Sequence, residues 1–225
     1  MKLSVVIPFY NEENMIQKMY DELVKEINQI TKAEFEIIFI NDGSKDRTFE
    51  RMLAIAAGDS RVKYISFSRN FGKEAGTIAG LEYATGEAVI LMDGDLQHPP
   101  AMLPQMIEAY EQGYDVVSAR RTRTGEKPHR TFLAKHFYKL ANKMMDIELM
   151  DGVSEFRLFS RKVVNAIISM QEYNRFSKGI FAWIGFNEKV IEYENQVRTV
   201  GETKYSLKFS LNYAIQGILS FNDKP

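Results

Sequence analysis

Short, wholly apolar runs punctuate this chain, and between them apolar residues recur at helical spacing. Ser4-Val5-Val6-Ile7 stops at Pro8 and reads as a buried strand. Met15, Ile16, Met19, Leu23, Ile27 and Ile30 then lay one apolar face along a helix. Asn11 is its expected N-cap, and Glu12 and Glu13 suit its positive end. Residues 35–40 predict a second strand, ending at Asn41-Asp42-Gly43-Ser44, with Ser44 expected to cap a helix that runs to about Ala57 and stops at Gly58. A third strand over 62–67, a loop over 69–73 and a small-residue helix over 74–84 follow. Then come a fourth strand reaching Met92, a helix over 102–112 and a fifth strand over 115–118. Strands apolar on both faces and alternating with helices predict an α/β fold, a mostly parallel central sheet with helices on both faces. Further on, the pattern predicts helices over 131–145 and 175–186 and a late strand over 188–193. A last helix carries an apolar stripe of Leu207, Leu211, Ala214, Ile215, Ile218 and Leu219.

Composition narrows the function classes. With 225 residues and 45% hydrophobic content, the chain can bury the core of one large α/β domain. A net charge of −1 argues against a general nucleic-acid binder, so any basic site is local. The absence of cysteine excludes disulfides and thiolate metal sites. Met1-Lys2 leads straight into a strand without the order of a signal peptide. No apolar run approaches the ~20 residues of a spanning helix.

The chemistry concentrates where strands end. Val89-Ile90-Leu91-Met92 runs into Asp93-Gly94-Asp95-Leu96-Gln97-His98-Pro99-Pro100. The glycine is expected to let the backbone turn tightly, and the prolines end the strand and start the next helix. Ligands of open α/β sheets bind at the carboxyl ends of strands, and two carboxylates there can hold a hard cation such as Mg²⁺. An Asp-Gly pair is also an ordinary turn. Neither the dinucleotide-binding glycine pattern nor the Walker phosphate loop is present. The strand ends carry Glu12, Asp42, Asp93 and Asp95 instead, which suits ribose hydroxyls and a metal-bridged diphosphate, a nucleotide-sugar pattern. Beyond the fifth strand, residues 120–130 crowd Arg120, Arg121, Arg123, Lys127 and Arg130 into one loop. A run of this kind is commonly a solvated basic loop, but beside metal-binding acids its forked donors fit a phosphate.

Three segments carry a resemblance to a known family: residues 5–13, Asn41-Asp42-Gly43-Ser44, and residues 92–100. They resemble the family 2 glycosyltransferases of the GT-A (nucleotide-diphospho-sugar transferase) fold. Asn70-Phe71-Gly72-Lys73-Glu74-Ala75 and residues 173–205 look like the polyprenyl-phosphate branch, which includes bactoprenol glucosyltransferases and dolichol-phosphate mannose synthases. The resemblance implies that Pro8, Tyr10, Glu12 and Asp42 line the uridine pocket and that Asp93 faces the ribose or sugar. Asp95 would hold Mg²⁺ or Mn²⁺ on the diphosphate, with Gln97 a further ligand. Lys73 either approaches the donor or is a surface lysine. His98 is a metal ligand or, more in keeping with its neighbouring proline, a structural imidazole. Arg120, Arg123 and Arg130 would hold the lipid phosphate. Glu155 stands where relatives commonly carry a catalytic Asp. It is a base, a positioning group, or a partner in a plain ion pair with Arg157 or Arg161.

The implied activity is inverting transfer of glucose or N-acetylglucosamine from a UDP-sugar to polyprenyl (undecaprenyl) phosphate, for cell-envelope glycan modification. The alternative is a soluble family 2 enzyme acting on a glycan hydroxyl. Residues 1–200 would form the catalytic domain. Residues 201–225 would form a loop that closes over the donor and an amphipathic juxtamembrane helix, before transmembrane helices absent here. That predicts work at the cytoplasmic face of the cell membrane, with a membrane surface as partner, no nucleic acid, and self-association left open.

Overall fold

The computed structural model describes residues 1–122, 142, 147, 150, 152–172, 175–194 and 221. The expected helix over 131–145, the loop over 201–205 and the final amphipathic helix lie outside the described residues. So do Arg123 and Arg130.

Seven strands form one sheet in the order β3-β2-β1-β4-β6-β5-β7. They are β1 (Lys2–Phe9), β2 (Glu34–Asn41), β3 (Val62–Ser66), β4 (Ala88–Leu91), β5 (Val116–Arg121), β6 (Val153–Ser160) and β7 (Glu188–Tyr193). The ladders β1–β2, β1–β4, β2–β3 and β5–β7 are parallel, and among the described strands β6 alone runs the other way, between β4 and β5. The described helices are α1 (Ile16–Ile27), α2 (Thr48–Gly58), α3 (Lys73–Tyr83), α4 (Leu103–Glu111), α5 (Arg161–Ser169) and α6 (Ser177–Trp183), with a short 3₁₀ turn at Pro100–Met102 before α4.

Side-chain alternation along the central strands divides the core in two. Leu3, Val5, Ile7 and Phe9 of β1 point to one face and pack with Ile16, Met19 and Leu23 of α1, Met52 of α2 and Met106 of α4. Val6, with Ile38 and Val89, points to the other face, toward Leu81 of α3, Val163 and Ile167 of α5 and Ile180 of α6. Both faces are therefore covered, as the uninterrupted apolar strands predict.

Two expected caps are corrected. Asn11 does not cap α1, which starts at Ile16 after Met15 with no side-chain cap. Asn11 sits at φ 51, and its side-chain oxygen accepts the Lys45 N–H at 2.8 Å. Ser44 does not cap α2 either, since that helix starts at Thr48. Its hydroxyl oxygen accepts the Asn11 N–H at 3.0 Å, and Asp46 accepts the Thr48 N–H at 3.0 Å. Cap residues spent on each other tie the β1–α1 loop to the β2–α2 loop, so both helices begin later than local rules imply.

Candidate active site

Register puts the chemistry together. In the antiparallel β4–β6 ladder Leu91 faces Arg157. Two residues further along each strand, past the end of β4, Asp93 comes opposite Glu155. Lys73, the first residue of α3, fills the gap: its ammonium lies 2.5 Å from Asp93 Oδ1 and 2.7 Å from Glu155 Oε2. Burial alone would lower the Lys73 pKa, but the two carboxylates more than reverse that and hold it above the usual lysine range. Asp93 is likewise held below the usual range: burial works against ionisation, and the Lys73 ammonium favours it. Lys73 is thus a bridging cation of the site and not a surface lysine. Glu155 pairs with it rather than with Arg157 or Arg161. Arg157 meets Glu188 at 3.1 Å and lies over the Phe181 ring, while Arg161 donates to the Ala84 and Gly86 carbonyls.

The turn that bears Asp93 and Asp95 is braced from below. His98 is 5% exposed, its ring stacks on Phe156 at 5.4 Å, and its Nδ1 accepts the Asp93 N–H at 3.1 Å. An acceptor nitrogen means a neutral ring on that side, and burial lowers the His98 pKa despite the pull of Asp93. The structural reading of His98 is the one the geometry supports. Gly94 is required for a different reason from the tight turn expected of it. The left-handed residue of this turn is Leu96, at φ 59, whereas a Cβ on Gly94 would lie 2.3 Å from the Phe9 ring. Asp95 accepts the Gln97 N–H at 3.0 Å, which keeps both side chains in one turn.

Other expected residues surround this centre. Pro8 and Tyr10 stand at the end of β1, and Glu12 follows, its N–H donating to Thr48 Oγ1 at 2.8 Å. Asp42 lies just past the end of β2 and is nearly fully buried. Burial pushes its carboxyl up, and the Phe71 and Gly72 amides pull it back only in part. Arg120 stands near the end of β5 and gives its guanidinium to Glu192, with Nε 3.0 Å from Oε1. Two residues were not singled out by the sequence. Tyr193, at the end of β7, is buried within the field of Asp93 and Asp95. Lys178, in the first turn of α6, is half-buried and acts on Asp93. Neither carries a local signal, since each is brought in by the sheet order and by α6.

Comparison with known proteins decides the class. The family model described as "Glycosyl transferase family 2" matches residues 4–168. This chain belongs to glycosyl transferase family 2. The glycosyltransferase-assigned CsbB of Bacillus subtilis (strain 168) is 50% identical over 223 residues, covering 99% of this chain and 68% of that protein. The prophage bactoprenol glucosyl transferase homolog of Escherichia coli (strain K12) is 42% identical over 226 residues, covering 100% of this chain and 74% of that one. The bactoprenol glucosyl transferase of Shigella phage SfX matches at the same identity and extent. Among solved structures, the mannosyltransferase PcManGT of Pyrobaculum calidifontis, in complex with GDP-Man and Mn²⁺, superposes with a TM-score of 0.68 at 17% identity, over 99% of this chain and 65% of that one. Glucosyl-3-phosphoglycerate synthase of Mycobacterium tuberculosis, with Mn²⁺ and UDP-Glc, gives 0.63 at 20% identity, over 100% and 80%. The fold of this family 2 glycosyltransferase is therefore GT-A. Among its described residues no helix is long and apolar enough to cross a membrane.

Proposed function

We propose that this family 2 glycosyltransferase moves a sugar from a UDP-sugar to the phosphate of a polyprenyl phosphate, with inversion at the anomeric carbon. The observation that carries the reading is the 42% identity to bactoprenol glucosyl transferases across the whole chain. The geometry agrees with it. Glu155, which stands where relatives commonly carry a catalytic Asp, is paired with Lys73 at 2.7 Å. A phosphate monoester suits such a site, because at pH 7 it already carries about −1.5 to −2 charge and needs little deprotonation.

Pro8, Tyr10, Glu12 and Asp42 border the nucleoside side, and Asp93 faces the sugar. Asp95 and Gln97 offer hard oxygen donors one turn apart, the donor set that Mg²⁺ or Mn²⁺ takes together with ligand phosphates. The Mn²⁺ in the two superposed structures supports that assignment. When bound, the cation supplies Lewis-acid neutralisation of the departing diphosphate. Lys73 holds Asp93 and Glu155 in fixed relation to the sugar, and Arg120, Arg123 and Arg130 orient the acceptor phosphate for attack from the opposite face. Most of the acceleration is then positioning and electrostatics.

Residues 1–200 act as the catalytic domain, and residues 201–225 face the membrane that holds the acceptor. The work is done at the cytoplasmic face. A donor screen tests the reading: UDP-glucose, UDP-N-acetylglucosamine and GDP-mannose are each offered with undecaprenyl phosphate and Mn²⁺. Glycolipid from one of the UDP-sugars is expected, and glycolipid from GDP-mannose alone contradicts the donor class.

A further inference from the structure

Two helices from distant parts of the chain are tied together at their first turns. Glu74, the second residue of α3, accepts the Ser177 N–H at Oε1, 3.3 Å away, and the Ser177 hydroxyl donates to Oε2. Ser177 opens α6 and is 3% exposed. The first N–H groups of a helix have no partner within it, and Phe176, which precedes α6, brings no capping side chain. Glu74 meets that need from another helix, and it does so with a carboxylate, whose hydrogen bonds are the strong ones. The rest of α6 is fixed as well. Phe181 packs on Phe159 at 4.9 Å and lies under the Arg157 guanidinium at 5.1 Å, both on β6. A Cβ on Gly179 would fall 2.4 Å from the Phe221 ring, so that ring rests against the backbone of the first turn.

The neighbours of the contacting pair carry the chemistry. Lys73 precedes Glu74, and its ammonium reaches Asp93 and Glu155. Lys178 follows Ser177, is half-buried, and favours the ionised form of Asp93. We infer that Glu74 is a positioning residue for sugar transfer: it pins the first turn of α6 to the first turn of α3, so that Lys178 and Lys73 both act on Asp93. One peptide link separates each gripped residue from its lysine, so a shift at the contact passes to the ammonium almost undiminished. Asp93, Asp95 and Glu155 crowd carboxylates into one corner, and Lys178 adds to Lys73 a second cation that keeps Asp93 in place. Glu74 acts through Ser177 and Lys178 and touches no substrate in this role. The turnover readout rests on the glycosyl transfer proposed above; the exchange readout does not.

The test compares Glu74→Ala, Glu74→Gln, Lys178→Met and the double variant of Glu74→Ala with Lys178→Met against the parent chain. Turnover is measured with UDP-sugar, undecaprenyl phosphate and Mn²⁺, UDP affinity by calorimetry, and protection of the Ser177 and Lys178 amides by hydrogen exchange. Glu74→Ala is expected to lose roughly ten- to a hundredfold in kcat, the scale of a small misplacement of reacting groups. UDP affinity should stay near the parent value, and both amides should exchange faster. Glu74→Gln keeps an acceptor oxygen for Ser177 and should recover most of the lost turnover, and the double variant should be no worse than Lys178→Met. Losses that multiply in the double variant, equal losses for Gln and Ala, or a fall in UDP affinity with unchanged kcat each overturn the inference. Should Glu74→Ala fail to fold, Ser177→Ala removes the hydroxyl alone. A lower kcat at parent UDP affinity is expected there, and parent kcat overturns the inference. If the parent transfers nothing to the lipid phosphate, the proposed function fails. Slow hydrolysis of the UDP-sugar, which needs no lipid, then replaces transfer as the turnover readout, and the same comparisons decide the grip.

Discussion

Lys73 Nζ stands 2.7 Å from Glu155 Oε2, joining the first residue of α3 to the strand that runs against the rest of the sheet. The pair gives Glu155 a use that needs no proton transfer. Glu155→Gln keeps the shape and loses the charge that Lys73 holds. Measurable transfer to a phosphate acceptor should survive, reduced by less than the roughly hundredfold that marks the lower end of what a lost general base costs. Its pH profile should follow the acceptor phosphate's own second ionisation, near pH ~6. Near-complete loss of activity in a folded Glu155→Gln protein would make Glu155 the base.

The opposite end of the sheet holds a buried carboxylate whose task is stability. Glu36 accepts from Ser4 Oγ at 2.6 Å, Thr85 N at 2.6 Å, Thr85 Oγ1 at 2.8 Å and Lys63 Nζ at 2.7 Å. Burial alone would raise its pKa; Lys63, Ser4 and Thr85 more than reverse this, holding it at about 2 instead of the ordinary 4.5. A folded pKa below the unfolded one stabilises fully above pH 4.5, and that stabilisation is lost as pH falls toward 2. The shift corresponds to on the order of 3 kcal/mol. Glu36→Gln should lower stability at pH 7 and flatten the dependence between pH 4.5 and 2, read by urea unfolding at several pH values.

Glycines on two helices should respond oppositely to a methyl group. A Cβ on Gly80 of α3 would fall 2.2 Å from Val6 Cγ1, in the closely packed interior between α3 and β1. Gly80→Ala is expected to cost about 1–3 kcal/mol by overpacking. Gly58, the last residue of α2, has nothing within 4 Å of its Cβ position. Gly58→Ala should gain about 0.4–1 kcal/mol through the unfolded chain. Thermal unfolding of both variants checks the contrast.

The sheet's parallel strands were legible because burial on both faces leaves unbroken apolar runs. β6 was not legible as a strand. Ser154, Glu155 and Arg157 interrupt its apolar residues, and only the fold supplies Glu188 and Phe181 as partners for Arg157. Asp93 and Asp95 stood out in the sequence because they follow a buried strand directly. The Lys73 bridge was not, because β4, β6 and α3 meet there from three separate parts of the chain. Asn11 and Ser44 misled for a related reason: each satisfies a group on the other's loop, which no local cap rule can register.

Arg120, Arg123 and Arg130 are expected to serve the acceptor. Alanine at any of the three should raise the KM for polyprenyl phosphate while leaving UDP affinity near the parent value. Arg120→Ala should have the smallest effect, since its guanidinium is already shared with Glu192. Equal losses in UDP affinity would move the basic segment to the donor side.

Formation of a sugar–phosphate bond on the lipid is the most direct measurement. The protein is incubated with undecaprenyl phosphate, a UDP-sugar and Mn²⁺, and the lipid phosphorus is followed by NMR, with Asp95→Asn and excess chelator as controls. Conversion of the monoester to a phosphodiester, with the anomeric configuration opposite to the donor's and lost in both controls, is the expected result. A monoester that stays unchanged while the same sugar appears on a glycan hydroxyl would contradict transfer to phosphate.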